Sequence, residues 1–361
     1  MHLRWTRTGD RIPGVRHPTI AATVLIAATT AALPCWSQDS SRIADTVFTN
    51  PGARSIGLGG AFAAIADDAT AAFANPAGLV QILRPEISIE FRATASTGNP
   101  DNLYGIPNGV SGLGFFSFVY PSRNWAFAAY SHQMASLDFT FDGIVPITRE
   151  LSVRSYAGTA AFEISEHLSL GAGFSYFDGD RSAGAGVSEF SDADWGVNAG
   201  LLWSPSQAWN FAGFYRQGPE FDSRATPTSF SFPNVYGVGV AFQPNTGALT
   251  VGFEWDRVGS TTDPLQDGHA ETEGGSEHHL GVEYAVLRWK PVVAFRAGLW
   301  RESSRQYDVI NDVGVDESFH TDDRTHVAFG FGLAFKRFQI DAGVDFFDQD
   351  FIGSASFVFN F

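Results

Sequence analysis

Few side chains in this sequence stand at spacings suited to covalent chemistry. Beyond residue 37 there is no G-x-S-x-G, and no serine has a histidine and an acid at a recognisable spacing, so no catalytic residue is assigned and the chain is read as a non-enzyme. Gly57-Leu58-Gly59-Gly60 lacks the spacing of a dinucleotide fingerprint and the Lys-Ser/Thr of a phosphate loop. His278-His279, with His269 and Glu277, offers ligand atoms but no helix or tight turn to fix them, so they are read as incidental histidines of an acidic loop, and neither metal nor cofactor is expected. Asp263, Asp267, Glu271 and Glu273 in that loop, and Asp308, Asp312, Asp316, Glu317, Asp322 and Asp323 in a later one, are hard oxygen ligands that can bridge divalent cations to anionic lipopolysaccharide. No calcium-loop spacing accompanies them, and a solvated, repulsive surface is the simpler reading.

The elements that carry these residues alternate with period two. Leu249, Val251, Phe253 and Trp255 lie on one side of a segment, with Thr250, Gly252, Glu254 and Asp256 on the other. Ile87, Ile89 and Phe91 oppose Ser88, Glu90 and Arg92, and Phe338, Ile340, Ala342 and Val344 oppose Gln339, Asp341, Gly343 and Asp345. Such strands have one apolar and one polar face. Charges at alternate positions need a wet interior when the other face meets lipid, and a closed barrel supplies one while pairing every backbone group.

Fourteen segments follow the pattern, at 86–95, 110–120, 125–137, 150–163, 168–177, 193–203, 208–217, 234–243, 247–257, 278–288, 291–301, 325–335, 337–347 and 351–361. About ten residues suffice to cross a bilayer when tilted. Pro121–Asn124, Ser165–His167, Ser204–Gln207, Gln243–Thr246 and Trp289-Lys290 make short turns, and the intervening loops are mostly long. An even count with this alternation places both termini on the short-turn, periplasmic side. Trp125, Trp203, Trp209 and Trp289 near the short turns, and Trp195, Trp255 and Trp300 near the long loops, read as interfacial girdles. A soluble sandwich would need polar outer faces and a dry interior, which the Gly, Ser and charged alternate positions oppose.

Residues 1–37 read as an export signal that would carry the chain through an inner membrane: Arg4, Arg7, Arg11 and Arg16, then an apolar run from Thr19 to Ala32, then Cys35 and Ser37 before a plausible cut. Leu33-Pro34-Cys35 lacks the small residue of a lipoprotein site. Cleavage there would remove the only cysteine, and with it four Arg and one Asp, taking the formal charge from −16 to about −19. So acidic a chain is not expected to bind nucleic acid. No run of about 18 apolar residues follows that could make a spanning helix.

The stretch from Gly52 to Leu79, GARSIGLGGAFAAIADDATAAFANPAGL, resembles the N-terminal signature of the FadL/TodX-type outer-membrane transport proteins, with PorV/PorQ-like proteins as a close alternative. The resemblance implies an all-β fold, a fourteen-stranded antiparallel transmembrane barrel over 85–361, with residues 38–84 as a small helical plug in its lumen. Gly59, Gly60, Phe62, Asp67, Asp68, Asn75, Pro76, Ala77 and Gly78 carry the plug motif. Its small residues suit a thin element, Ala61 to Ala74 a short helix, and Asn75-Pro76 a helix stop. Asp67-Asp68 can pair with Arg92, Arg154 or Arg296, or face solvent. Phe357, Phe359 and Phe361 resemble the terminal strand read by the barrel-insertion machinery.

In that family a kinked third strand opens sideways. Ser131, His132 and Gln133 are the candidates here, because Ser131 and Gln133 follow Trp125, Phe127 and Ala129 on the apparent lipid face. Phe116, Phe118 and Tyr120 belong to a strand apolar on both faces; they either turn inward to line a substrate pocket or pack on the plug. The implied function is passive transport of hydrophobic compounds, such as long-chain fatty acids, across a bacterial outer membrane. The alternative is a PorV-like partner in secretion or surface attachment of protein cargo. A polar porin is disfavoured by the plug, and an outer-membrane hydrolase by the missing motifs.

Overall fold

The computed structural model describes residues 49–96, 107–108, 111–141, 147–183, 187–222, 229–244, 247–265, 267–311, 314–348 and 350–361. The expected export signal, the first part of the plug assignment (38–48) and Asp312 lie outside the described residues.

Fourteen strands close into an antiparallel barrel. They are β1 (Glu86–Ser96), β2 (Ser111–Pro121), β3 (Trp125–Phe141), β4 (Ile147–Ser165), β5 (Leu168–Ala183), β6 (Val187–Ser206), β7 (Trp209–Arg216), β8 (Val235–Phe242), β9 (Leu249–Val258), β10 (Gly275–Val286), β11 (Val292–Glu302), β12 (Arg324–Ala334), β13 (Phe338–Phe347) and β14 (Asp350–Asn360). Each pairs with its neighbour in sequence, and the β1–β14 ladder, Glu86↔Asn360 through Ser96↔Asp350, shuts the ring. The barrel forms because alternation lets one register meet hydrocarbon while every ladder group is paired. Thr250, Gly252, Glu254 and Asp256 are buried on the lumenal register of β9, and Phe253 is exposed on the outer one. Asp341, Gly343 and Asp345 do the same on β13.

Two expectations change. Strands β3 to β6 run to 17, 19, 16 and 20 residues, so the loops expected beyond about ten residues are largely strand. Their excess length rises past the bilayer on the long-loop side. Trp300 is not a girdle residue: it lies inside, its ring 3.5 Å from that of His326 and 5.1 Å from that of His279, and its Nε1 donates to Asp345 Oδ2 at 3.0 Å. The other six of the expected girdle remain on the outer register.

The core is the filled lumen. Helix α1 (Ala53–Gly57), helix α2 (Ala71–Ala74) and a 3-10 turn (Pro76–Gln81) hold the leading segment inside the barrel, with Leu58, Phe62, Ile65 and Leu79 fully buried. No single helix spans Ala61–Ala74. Positive φ at Ala66 breaks the run, and the Asp68 carboxylate accepts from Thr70 N at 2.9 Å, as turns rather than helix interiors do. Asn75 does end α2, at φ −153°. Helices of five and four residues do not persist alone in water. The barrel wall supplies what they lack.

Candidate functional site

The wall approaches the plug most closely at glycines. A Cβ built on Gly298 would stand 2.2 Å from Gly59 N, one on Gly343 2.2 Å from Ala53 O, and one on Gly171 2.4 Å from Ala77 N. Polar wall residues then take up the plug's loose backbone groups. Glu254 Oε2 accepts from Phe62 N at 2.8 Å and Ala63 N at 2.6 Å, Glu86 accepts from Ala69 N at 2.8 Å, and Asn198 Nδ2 donates to Ala72 O at 3.1 Å. Asn75 Nδ2 donates to Ala63 O at 2.9 Å and to Leu201 O of the wall at 3.2 Å, while its Oδ1 accepts from Ala77 N. The Asn-Pro-Ala-Gly run is therefore a joint between plug and wall. A Cβ on Gly78 would stand 2.2 Å from Ala66 O, which explains the glycine.

The partner expected for Asp67 and Asp68 is corrected. Asp67 pairs with Arg54 of the plug itself, and Asp68 lies 3.5 Å from the same guanidinium. Arg54 also bonds Glu283 at 2.9 and 3.0 Å, Glu283 bonds Arg296, and Arg296 reaches Asp341 at 2.7 Å. Arg296 thus joins only through Glu283. Arg92 instead contacts Glu90, Thr49 and Asn50, and Arg154 lies on the outer register. Burial opposes the charge on Asp67, and the Arg54 guanidinium overrides it, holding the carboxyl below its usual range.

The orientation expected for Phe116, Phe118 and Tyr120 is reversed. They are 41%, 38% and 50% exposed on the outer face, while Phe115, Ser117 and Val119 point into the lumen. Period two leaves only one register inward, and Ile89↔Phe116 fixes which, since Ile89 faces out. The lumenal aromatics come from other strands. Phe73 of the plug, Tyr130 and Met134 of β3, Phe177 of β5 and Arg216 of β7 line a cavity with room for about one water. Arg216 lies over the Phe73 ring at 5.0 Å and the Phe214 ring at 4.5 Å. Tyr130 was legible from its register, the only large aromatic in phase with Ala126, Ala128 and His132.

Strand β3 breaks beside this cavity. The β2–β3 ladder runs from Pro121↔Ala126 to Phe115↔His132, and among the described residues pairing resumes only at Asn108↔Asp138. On its other side β3 carries a bulge, with Gln133↔Arg154 followed by Ala135↔Val153, so Met134 is the inserted residue. A second register shift, at Glu90/Phe91, leaves Gly114 extra in β2. His132 is lumenal and buried, 4.6 Å from the Phe73 ring. Ser131 and Gln133 lie on the outer register, where Arg154 donates to Ser131 Oγ at 3.3 Å, to Gln133 Oε1, and across the gap to Leu113 O at 3.5 Å. Gln133 lies eight residues above Trp125, about 20 Å up a tilted strand, in the outer part of the apolar band.

The long-loop end carries a separate four-stranded sheet of Thr261–Leu265, Gly268–Thr272, Gln306–Asn311 and Gly314–His320. Its Asp308 is held below the usual range by the Ser318 hydroxyl and the Gln306 amide.

No family model and no curated protein matches the chain. Among solved structures it is similar in fold to the CymD monoaromatic hydrocarbon channel, with 16% identity over 86% of this chain and 97% of that one and a TM-score of 0.63. The Ralstonia pickettii toluene transporter TbuX gives 14% identity over 87% and 99% with a TM-score of 0.64, and a Pseudomonas aeruginosa FadL homologue 13% over 87% and 99% with 0.63. The fold is thus that of FadL- and TodX-like barrels.

Proposed function

We propose that this barrel is a passive outer-membrane channel for hydrophobic compounds, which enter from the long-loop side, part the Phe73, Tyr130, Phe177 and Met134 side chains whose cavity at rest holds about one water, and leave sideways between β2 and β3. The observation that carries this is the juxtaposition of an aromatic lumenal site with a gap in the ladder. Unpaired backbone at membrane depth is tolerated where it lines a cavity, and Ser131, Gln133 and Arg154 clothe the outer side of this one. Small aromatic molecules can stack on these rings; CymD is described as a monoaromatic hydrocarbon channel and TbuX as a toluene transporter. Long-chain fatty acids belong to the same chemical class. The N-terminal segment would serve as cork and be exported behind a cleaved signal, with Phe361 as the insertion signal.

Gly112 offers a clean test. It lies on the lumenal register opposite Arg92, and a Cβ there meets nothing within 4 Å, so Gly112→Phe fills the gap at little cost to folding. Cells producing the wild type are expected to take up labelled toluene or oleate saturably, and the variant several-fold more slowly at equal barrel yield. Uptake equal to that of cells lacking the protein would overturn the reading. The four-stranded outer sheet favours a second reading, a secretion or surface-attachment partner. Copurification of secreted cargo, lost when that sheet is removed, would support it instead.

A further inference from the structure

Half a turn around the barrel from the broken seam, Asp256 of β9 and Glu277 of β10 stand directly opposite one another, and His279 follows two residues on along the same lumenal face. They are 4%, 5% and 6% exposed. One ligand atom from each lies within 4.8 Å of the others. His279 Nε2 is 3.4 Å from Glu277 Oε2 and 3.9 Å from Asp256 Oδ2. Both separations are longer than good hydrogen bonds, and Nε2, Asp256 Oδ1 and Glu277 Oε1 have no hydrogen-bond partner.

The other ring nitrogen settles the tautomer. Nδ1 lies 2.8 Å from Gly59 O of the plug, and a carbonyl only accepts, so Nδ1 carries a proton and Nε2 is the nitrogen turned toward the two carboxylates. Facing two carboxylates, Nε2 either carries a second proton or shares a cation with them, and the 3.4 and 3.9 Å separations are long for the proton and suited to the cation. Metal–ligand bonds of about 2.0–2.2 Å in a tetrahedral set separate the donor atoms by about 3.3–3.6 Å, close to the spacing here. The Nδ1–carbonyl bond and the Trp300 ring stacked 5.1 Å away hold the imidazole in place, as outer partners do for a ligating histidine. Glu254 opposite His279 and Glu302 opposite Glu277 add to the acidic field, and Arg216 stands 3.9 Å from Asp256.

We propose that Asp256, Glu277 and His279 bind a divalent first-row transition ion, zinc being the reference case, with a coordination position left for water. One imidazole and two carboxylates suit such an ion; calcium and magnesium want six or more oxygens. Sequence pattern hides the site, because a strand starting at 278 leaves Glu277 and His269 in an acidic loop and gives the two neighbouring histidines no partner across the sheet. Strand β10 begins at Gly275, so His278 faces out and His279 in, while His269 pairs with Glu271 at 3.1 Å in the outer sheet. Through Gly59 the ion would tie the β9–β10 wall to the plug.

The test uses the tag-free full chain, folded in detergent, stripped with a chelator and titrated with cobalt(II), then zinc. One equivalent of cobalt should bind with visible absorption bands of low-coordinate nitrogen and oxygen ligation, and zinc should displace it. Asp256→Asn and His279→Gln should each weaken binding at least about tenfold, since each removes one of three protein ligands. A His269→Gln/His278→Gln double variant should bind as wild type. If the ligand variants fail to fold, the decision rests on wild type and the double variant: a one-equivalent band kept in both supports the site. No saturable band, or a band lost in the double variant, overturns it and makes His279 a protonated strut between two carboxylates.

Discussion

At the residue scale, a chain of alternating charges, Asp67, Arg54, Glu283, Arg296 and Asp341, runs from the plug to the wall. Arg54→Met would remove the guanidinium that Asp67 and Glu283 share, leaving Glu283 paired with Arg296, and is expected to lower unfolding stability by about 3–5 kcal/mol, read from urea titration in detergent. An unchanged midpoint would show that water reaches these carboxylates freely. The wall glycines are as exacting. Gly298→Ala drives a methyl into the plug backbone at Gly59 and should displace the plug, at a cost of about 1–3 kcal/mol and with a measurable rise in leakage of small polar solutes. What sequence could show of this network was uneven. The register told that Arg296 faces inward with Asp341, yet Arg154 shares its phase with Ser152 and Tyr156 and so faces out. Arg54, the true partner of Asp67, sits in the plug, where no alternation points to direction.

At the scale of elements, fourteen strands were legible because hydrocarbon imposes one demand at every second position, and a dozen repetitions of a weak signal make a strong one. Strand ends beyond the bilayer were not legible, since water on both faces removes that demand; β3 to β6 therefore outrun their expected limits. The break in β3 left only a phase slip, with Gln133 out and Ala135 in, which Met134 alone creates. Deleting Met134 should restore an unbroken β3–β4 ladder. The barrel is then expected to fold with unchanged heat-shifted gel migration while uptake of hydrophobic compounds falls several-fold. Normal uptake by the deletion variant would separate the bulge from transport. Ser131 and Gln133 lie where the pairing of β3 is interrupted, and the pocket reading of Phe116, Phe118 and Tyr120 does not hold because an apolar run on both faces does not say which face is inside.

At the scale of the whole molecule, the outer surface is an apolar band, and inside it a largely polar wall packs against an apolar plug. A charge placed on the outside should be costly in proportion to its depth. Phe329→Lys, midway along β12 and outward-facing, is expected to reduce the free energy of folding into lipid vesicles by about 2–4 kcal/mol, whereas the same change at Phe361, at the chain's end, should cost much less. Equal costs at both depths would contradict the placement of the barrel in the bilayer.

The plug's dependence on the wall also orders events in time. Its backbone draws hydrogen bonds from β1, β6, β9 and β10, strands spread around the ring, so a partial barrel offers only some of the contacts that shape the leading segment. On that footing the segment is expected to gain its shape only as the ring shuts, and any route that emptied the lumen would first have to break those bonds.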